Sequence, residues 1–258
     1  MTMEQDWIYF PSPDGQINAF VVKPDGAAPW PALILLHPVM GITPDIKETA
    51  ARYAARGFFV VVPDVYTNDP GFRKHTTADI DAAAHVSRDE AERDAQLAAM
   101  APDAREAIVA ARAWMDARPA KGYIRIVKAS FEAVRARDDV RSVGCVGYCM
   151  GGRLAGELAA EGVDLAAAVI YYGGHPAIEK IPLIKCPIEG HYGVTDIGIT
   201  DKVFGFAGAM HEAGKPFAYS VYNANHGFAN VPGSLAYNAF AAEVAEARVQ
   251  AFLARHLT

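Results

Sequence analysis

The chain has 258 residues, 52% of them hydrophobic and 21% charged, enough apolar material for a sizeable core and too much for a disordered segment. A formal net charge of −6 offers no basic field to gather phosphates, so no nucleic-acid partner is expected. No apolar run reaches the roughly 20 residues of a membrane span, and three cysteines, Cys145, Cys149 and Cys186, cannot all pair into a disulfide framework.

The length suits one large α/β domain over residues 1–258. The acidic, polar start makes the cytoplasm the expected compartment. Eight scattered histidines lack metal-ligand spacing. Monomer and homodimer both stay open.

In chain order, Trp7–Phe10 and Ile17–Val22 flank the turn-forming Pro13-Asp14-Gly15 and predict an antiparallel hairpin. Ala32–Leu36 and Phe58–Val62 are compact apolar runs, typical of strands buried on both faces. Between them Thr43-Pro44-Asp45 supplies a cap, a proline at the first helical position and an acidic first turn, with Gly57 as a stop. Residues 66–92 are polar and contain Pro70-Gly71. They predict an excursion over the active-site face, a candidate lid. Spaced apolar residues predict helices over 103–117 and 122–137. Strands are expected at Ser142–Val146, Ala166–Ile170, Cys186–Ile188 and Phe217–Val221, and a last amphipathic helix from Leu235 to His256. The alternation implies a doubly wound, mostly parallel sheet.

The most informative stretch is Gly147-Tyr148-Cys149-Met150-Gly151-Gly152, which ends a buried strand and opens a helix. A G-x-nucleophile-x-G turn needs glycines two positions either side of the nucleophile, because side chains there collide with the tight turn. A cysteine at its centre reacts as the thiolate, which a helix N-terminus and an imidazolium both stabilise. Cys145 and Cys186 lie in or beside apolar strands and read as buried small hydrophobes.

The partners of such a nucleophile follow it as acid, then histidine. Asp196, in a glycine-containing loop after a strand, is favoured as the acid; Asp201 is its rival and is also explained as a helix-start residue. His226, in Asn225-His226-Gly227-Phe228, is favoured as the base over His191, which precedes the acid. The backbone N–H groups of Val39 and Met150 are the expected oxyanion donors. Tyr148, Phe228 and Asn230 are candidate substrate contacts, and Trp7, Trp30 and Tyr66 join Tyr148 and Phe228 as candidate pocket walls.

These residues resemble the dienelactone hydrolase family, the cysteine branch of the α/β-hydrolases. The likeness spans most of the chain: Gly147–Gly152, Tyr171-Tyr172-Gly173, His191 through Asp196, and Asn225–Phe228 occur in family order. The resemblance implies an α/β-hydrolase fold, a triad of Cys149, Asp196 and His226, and hydrolysis of an enol-lactone or related ester through an acyl-enzyme, without metal or cofactor. The chain departs from the family at two places. Pro38 stands where the family carries a glutamate, and Asn230 where an arginine holds a substrate carboxylate. A neutral amide cannot make the bidentate pair of a guanidinium. Arg73, Arg88 or Arg93 are candidate replacements, and a neutral ester or thioester is the alternative substrate, with a catalytically silent small-molecule binder as the non-enzymatic alternative.

Overall fold

The structure, a computed structural model, describes residues 4–12, 15–87, 89–117, 120–230, 234 and 236–257. The strands, in chain order, are β1 (Gln5–Ser12), β2 (Gly15–Val22), β3 (Trp30–Leu36), β4 (Phe59–Pro63), β5 (Val140–Tyr148), β6 (Ala167–Tyr171), β7 (Ile188–Gly193) and β8 (Phe217–Tyr222). They form one sheet in the order β1-β2-β4-β3-β5-β6-β7-β8. All neighbours are parallel except β2, which runs against both β1 and β4. This is the mostly parallel sheet with an N-terminal hairpin that the residue pattern implies. Pro13 and Asp14 of the hairpin turn lie outside the described residues.

The helices are α1 (Pro44–Ala54), α2 (Thr77–His85), α3 (Glu90–Ala98), α4 (Pro102–Ala117), α5 (Ala120–Arg135), α6 (Met150–Ala159), α7 (Ile197–Glu212) and α8 (Ala239–His256). They cover both faces of the sheet, so strands such as Phe59–Pro63 and Ala167–Tyr171 are buried throughout. One core gathers Ile34, Val61, Leu154 and Phe206; the other gathers Leu35, Val60, Tyr53 of α1 and Leu253 of α8. Thr43 caps α1 as expected, its hydroxyl accepting from the Ile46 N–H. The last helix starts at Ala239, capped by the Asn238 side chain. Its expected start, Leu235, lies outside the described residues. Among the described residues no helix is long and apolar enough to cross a membrane.

Much of the polar segment 66–92 is helical among the described residues. Thr76 and Asp79 form a capping box that starts α2, while Ile80 and Ala83 point inward and are fully buried. Phe72 stacks on Tyr66 at 4.2 Å, and Asp69 accepts from the Tyr123 hydroxyl at 2.9 Å. The polar residues cap and coat helices whose few apolar residues anchor them.

The order β4-β3-β5 means the chain leaves β3 to one side and returns on the other. Open α/β sheets bind ligands at such a reversal, outside the carboxyl ends of the strands. Here Leu36 pairs with Gly147 at those ends, so the loop after β3 and the turn after β5 start side by side.

Candidate active site

Cys149 occupies the turn between β5 and α6 with φ 56° and ψ −115°. A left-handed φ in a residue with a side chain is rare and costs about 1–3 kcal/mol, so its surroundings must enforce it. They do so by proximity. A Cβ on Gly147 would lie 2.0 Å from the Gly151 carbonyl oxygen, and one on Gly151 would lie 2.2 Å from that of Leu36. The glycines let helix and strand approach until the half-buried Cys149 side chain stands at the sheet's edge. Cys145 and Cys186 are buried, and burial pushes both thiols up, Cys186 to about 12.

Three side chains meet there. His226, in the loop after β8, places Nδ1 2.6 Å from Asp196 Oδ2 and turns its other edge to the Cys149 sulfur. Asp196 ends the loop after β7 and is the N-terminal flanking residue of α7, yet its side chain makes no cap bond and is committed to the imidazole. Asp201 lies a turn into α7 and is exposed. His191 is fully buried, its Nδ1 2.9 Å from the Tyr222 hydroxyl and its ring stacked on Tyr171. Neither rival is among the groups that act on Cys149 or His226.

Burial alone would raise the Cys149 thiol, but the hydrogen bond and charge of His226, with the N–H groups of Met150 and Val39, outweigh it and hold the thiol below its ordinary value. Burial would likewise lower His226; its bonds to Asp196 and Cys149 prevail and raise it to about 10. Each group therefore favours the charged form of the other.

The loop after β3 is braced from behind. His37, fully buried, donates through Nδ1 to the Pro38 carbonyl at 2.7 Å and accepts at Nε2 from the Val65 N–H, so this network assigns it one neutral tautomer. Its pKa is lowered, chiefly by burial. The Tyr66 hydroxyl donates to the Val39 carbonyl at 2.9 Å. Val39 and Met150 thus present amides from two elements to the same sulfur.

A cavity of about 480 Å³ opens beside the elbow, lined by Pro38, Met40, Ile46, Tyr148, Ala229 and Asn230 and by the charged Asp45, Glu48, Arg52 and Asp81. Thr77, Ala78 and Asp81 bring α2 into that wall. A second cavity of about 450 Å³ is lined by Pro31 and Leu257, at the opposite end of the strands, and is unrelated to this chemistry.

Of the candidate substrate contacts, Tyr148 and Asn230 line the first cavity, whereas Phe228 is 0% exposed and belongs to the core, packed on Tyr171, Tyr172 and Tyr222. Trp7 packs on Phe20 and Trp30 on Phe59, away from the elbow, and Tyr66 acts through Val39 rather than as a wall. Arg73 is exposed and Arg93 lies 3.4 Å from Asp94; neither lines the cavity, and Arg88 lies outside the described residues. The arginine that does line it is Arg52, its Nη2 donating to Thr49 Oγ1 at 2.9 Å. Its only sequence signal is its helical spacing from Asp45 and Glu48. Among the described residues no group of three or more His, Cys, Asp or Glu side chains is placed to hold a metal.

The strand order and the strained elbow define an α/β-hydrolase fold. The dienelactone hydrolase family profile matches residues 17–257, and the chain belongs to that family. It is 28% identical to a candidate carboxymethylenebutenolidase of Saccharolobus solfataricus over 98% of this chain and 99% of the relative. It is also 28% identical to carboxymethylenebutenolidase 1 of Cupriavidus pinatubonensis, over 93% and 92%. A solved structure described as a candidate dienelactone hydrolase of Klebsiella pneumoniae superposes with a TM-score of 0.74 at 21% identity, covering 98% of this chain and 99% of the other. The chain is a hydrolase resembling dienelactone hydrolase.

Proposed function

We propose that the protein cleaves a carboxylic ester or lactone through Cys149, His226 and Asp196 by way of an acyl-enzyme. The observation that carries this is the single line from Asp196 Oδ2 through Nδ1 of His226, 2.6 Å apart, to the lowered thiol of Cys149.

The thiolate sulfur adds to the substrate carbonyl carbon, and the carbonyl electron pair moves onto oxygen, where the Val39 and Met150 N–H groups receive the negative charge. Collapse of this adduct breaks the ester C–O bond, and the imidazolium of His226 gives its proton to the departing alkoxide. The neutral imidazole then takes a proton from water, whose oxygen attacks the thioester. Cys149 leaves as thiolate, the acid is released, and His226 is again the imidazolium. Asp196 holds one tautomer throughout.

The cavity lining favours a neutral acyl group over a carboxylated lactone. Among the charged residues lining that cavity Asp45, Glu48 and Asp81 outnumber Arg52, and the position expected to carry an arginine is the neutral Asn230. Turnover of p-nitrophenyl acetate, lost when iodoacetamide alkylates Cys149, tests the hydrolase mechanism. A thiol titrating near the free value of about 8.5, with no turnover, overturns it. Comparing a carboxylated dienelactone with a neutral ester of equal size tests the substrate class: a higher kcat/KM for the lactone overturns the preference.

A further inference from the structure

Tyr172 stands directly after β6 with φ 38°, and among the described residues only Cys149 shares a left-handed φ without being glycine. A bulky aromatic keeps that conformation only where its neighbours over-determine it. The Tyr172 N–H donates to the His191 carbonyl at 2.8 Å, and the side chain is 0% exposed. The conformation carries the ring to a centroid distance of 5.1 Å from that of His226 and the hydroxyl to 3.0 Å from Asn230 Oδ1, to which it donates. Asn230 in turn closes the loop that bears His226, its N–H donating to the Gly227 carbonyl at 2.9 Å. Gly227 has φ 79°, and a Cβ there would lie 2.8 Å from Asn230 Nδ2, so this glycine permits the closure.

The bonds to Asp196 and Cys149 hold the imidazole at its two nitrogens but leave the tilt of its plane about the line between them, and His226 is 38% exposed, so solvent does not restrain it. A further contact is needed to set the ring plane. We propose that Tyr172 is the positioning residue for His226, its ring setting the imidazole plane while its hydroxyl, through Asn230, holds the turn that carries the histidine. The inference rests on the reading of His226 as the base that ionises Cys149. Tyr172 acts through His226 and Asn230 and needs no contact with substrate.

The test is the pH midpoint of Cys149 alkylation by iodoacetamide, which requires no known substrate, measured for the wild type, Tyr172→Phe, Asn230→Ala and the double variant, with thermal unfolding alongside. A net hydrogen-bond contribution of ordinary size predicts a midpoint raised by about 0.5–1 pH unit in each single variant. It also predicts little further change in the double variant, because both lose the same bond. With p-nitrophenyl acetate, Tyr172→Phe lowers kcat several-fold at unchanged KM, since Tyr172 is 0% exposed and does not itself line the cavity. An unchanged midpoint in Tyr172→Phe, or additive shifts in the double variant, overturns the proposal while leaving the hydrolase reading intact. A wild-type midpoint at the free-thiol value overturns both, and is seen before any variant is made.

Discussion

Replacing Asp196 by Asn keeps the shape of the side chain and removes its charge. The backbone role survives, because the Asp196 carbonyl still accepts from the Ile199 and Thr200 N–H groups, and asparagine is as good as aspartate at a helix N-terminus. What is lost is the charge on a 2.6 Å contact to His226 Nδ1. A hydrogen bond to a charged partner contributes about 1.5–3 kcal/mol, which at 1.36 kcal/mol per unit spans about one to two pK units. Solvent screening at the 38% exposed His226 argues for the lower end. The imidazolium therefore loses its proton about one unit lower, and the thiolate it stabilises needs a correspondingly higher pH. Iodoacetamide alkylation followed from pH 5 to pH 10 reads this directly: an upward midpoint shift of about one unit and roughly tenfold slower alkylation near neutrality are expected, with thermal unfolding little changed. An Asp196→Asn chain that alkylates with the wild-type midpoint refutes the coupling of these three side chains.

Cys149→Ser puts an alcohol, far harder to ionise than a thiol, in the same strained turn, and loss of p-nitrophenyl acetate turnover is expected; full activity in that variant contradicts a cysteine-specific site. Gly151→Ala presses a Cβ to 2.2 Å from backbone that cannot yield and should cost about 3 kcal/mol or more. Gly205→Ala in α7, with open space around it, should stabilise by about 0.5–1 kcal/mol; urea midpoints separate the two, and equal effects contradict the packing argument. His191 has its pKa pushed down to about 3, first by burial and then by Arg248, so below its ordinary 6.5 the unfolded chain binds a proton that the native chain refuses. Stability attributable to His191 is then present above pH 6.5 and lost as pH falls toward 3, by at most about 5 kcal/mol. Nearby Glu189, its carboxyl raised chiefly by burial, opposes this trend. In His191→Phe the acid dependence of the urea midpoint should flatten, and an unchanged slope would show that other groups cause it.

Glycines, apolar runs and helix caps are local signals, and they located most of the elements. The strand–Gly147–Cys149–Gly151–helix arrangement is legible for the same reason: its steric demand lies within six residues. The order of Asp196 and His226 after the nucleophile is legible too, since it follows from which strands end at the same edge. Local signals do not say which face a residue serves. Phe228, next to a catalytic candidate, is core. The polar stretch from residue 66 is a helical wall whose fold depends on Ile80, Ala83 and the Asp69 contacts.

Pairings across the chain are further from reach. Tyr172 and Asn230 are 58 residues apart, and nothing near either announces the other. Arg52 reaches the cavity only because α1 lies beside the loop after β3. The sequence by itself determined the elbow with Cys149 at its centre and the strand alternation, because each depends on backbone geometry that a few neighbouring residues impose. The tertiary structure alone decided what surrounds Cys149: the imidazole's orientation, the bracing of the loop after β3 and the charged residues that line the cavity, all of which arise from through-space distances between distant segments.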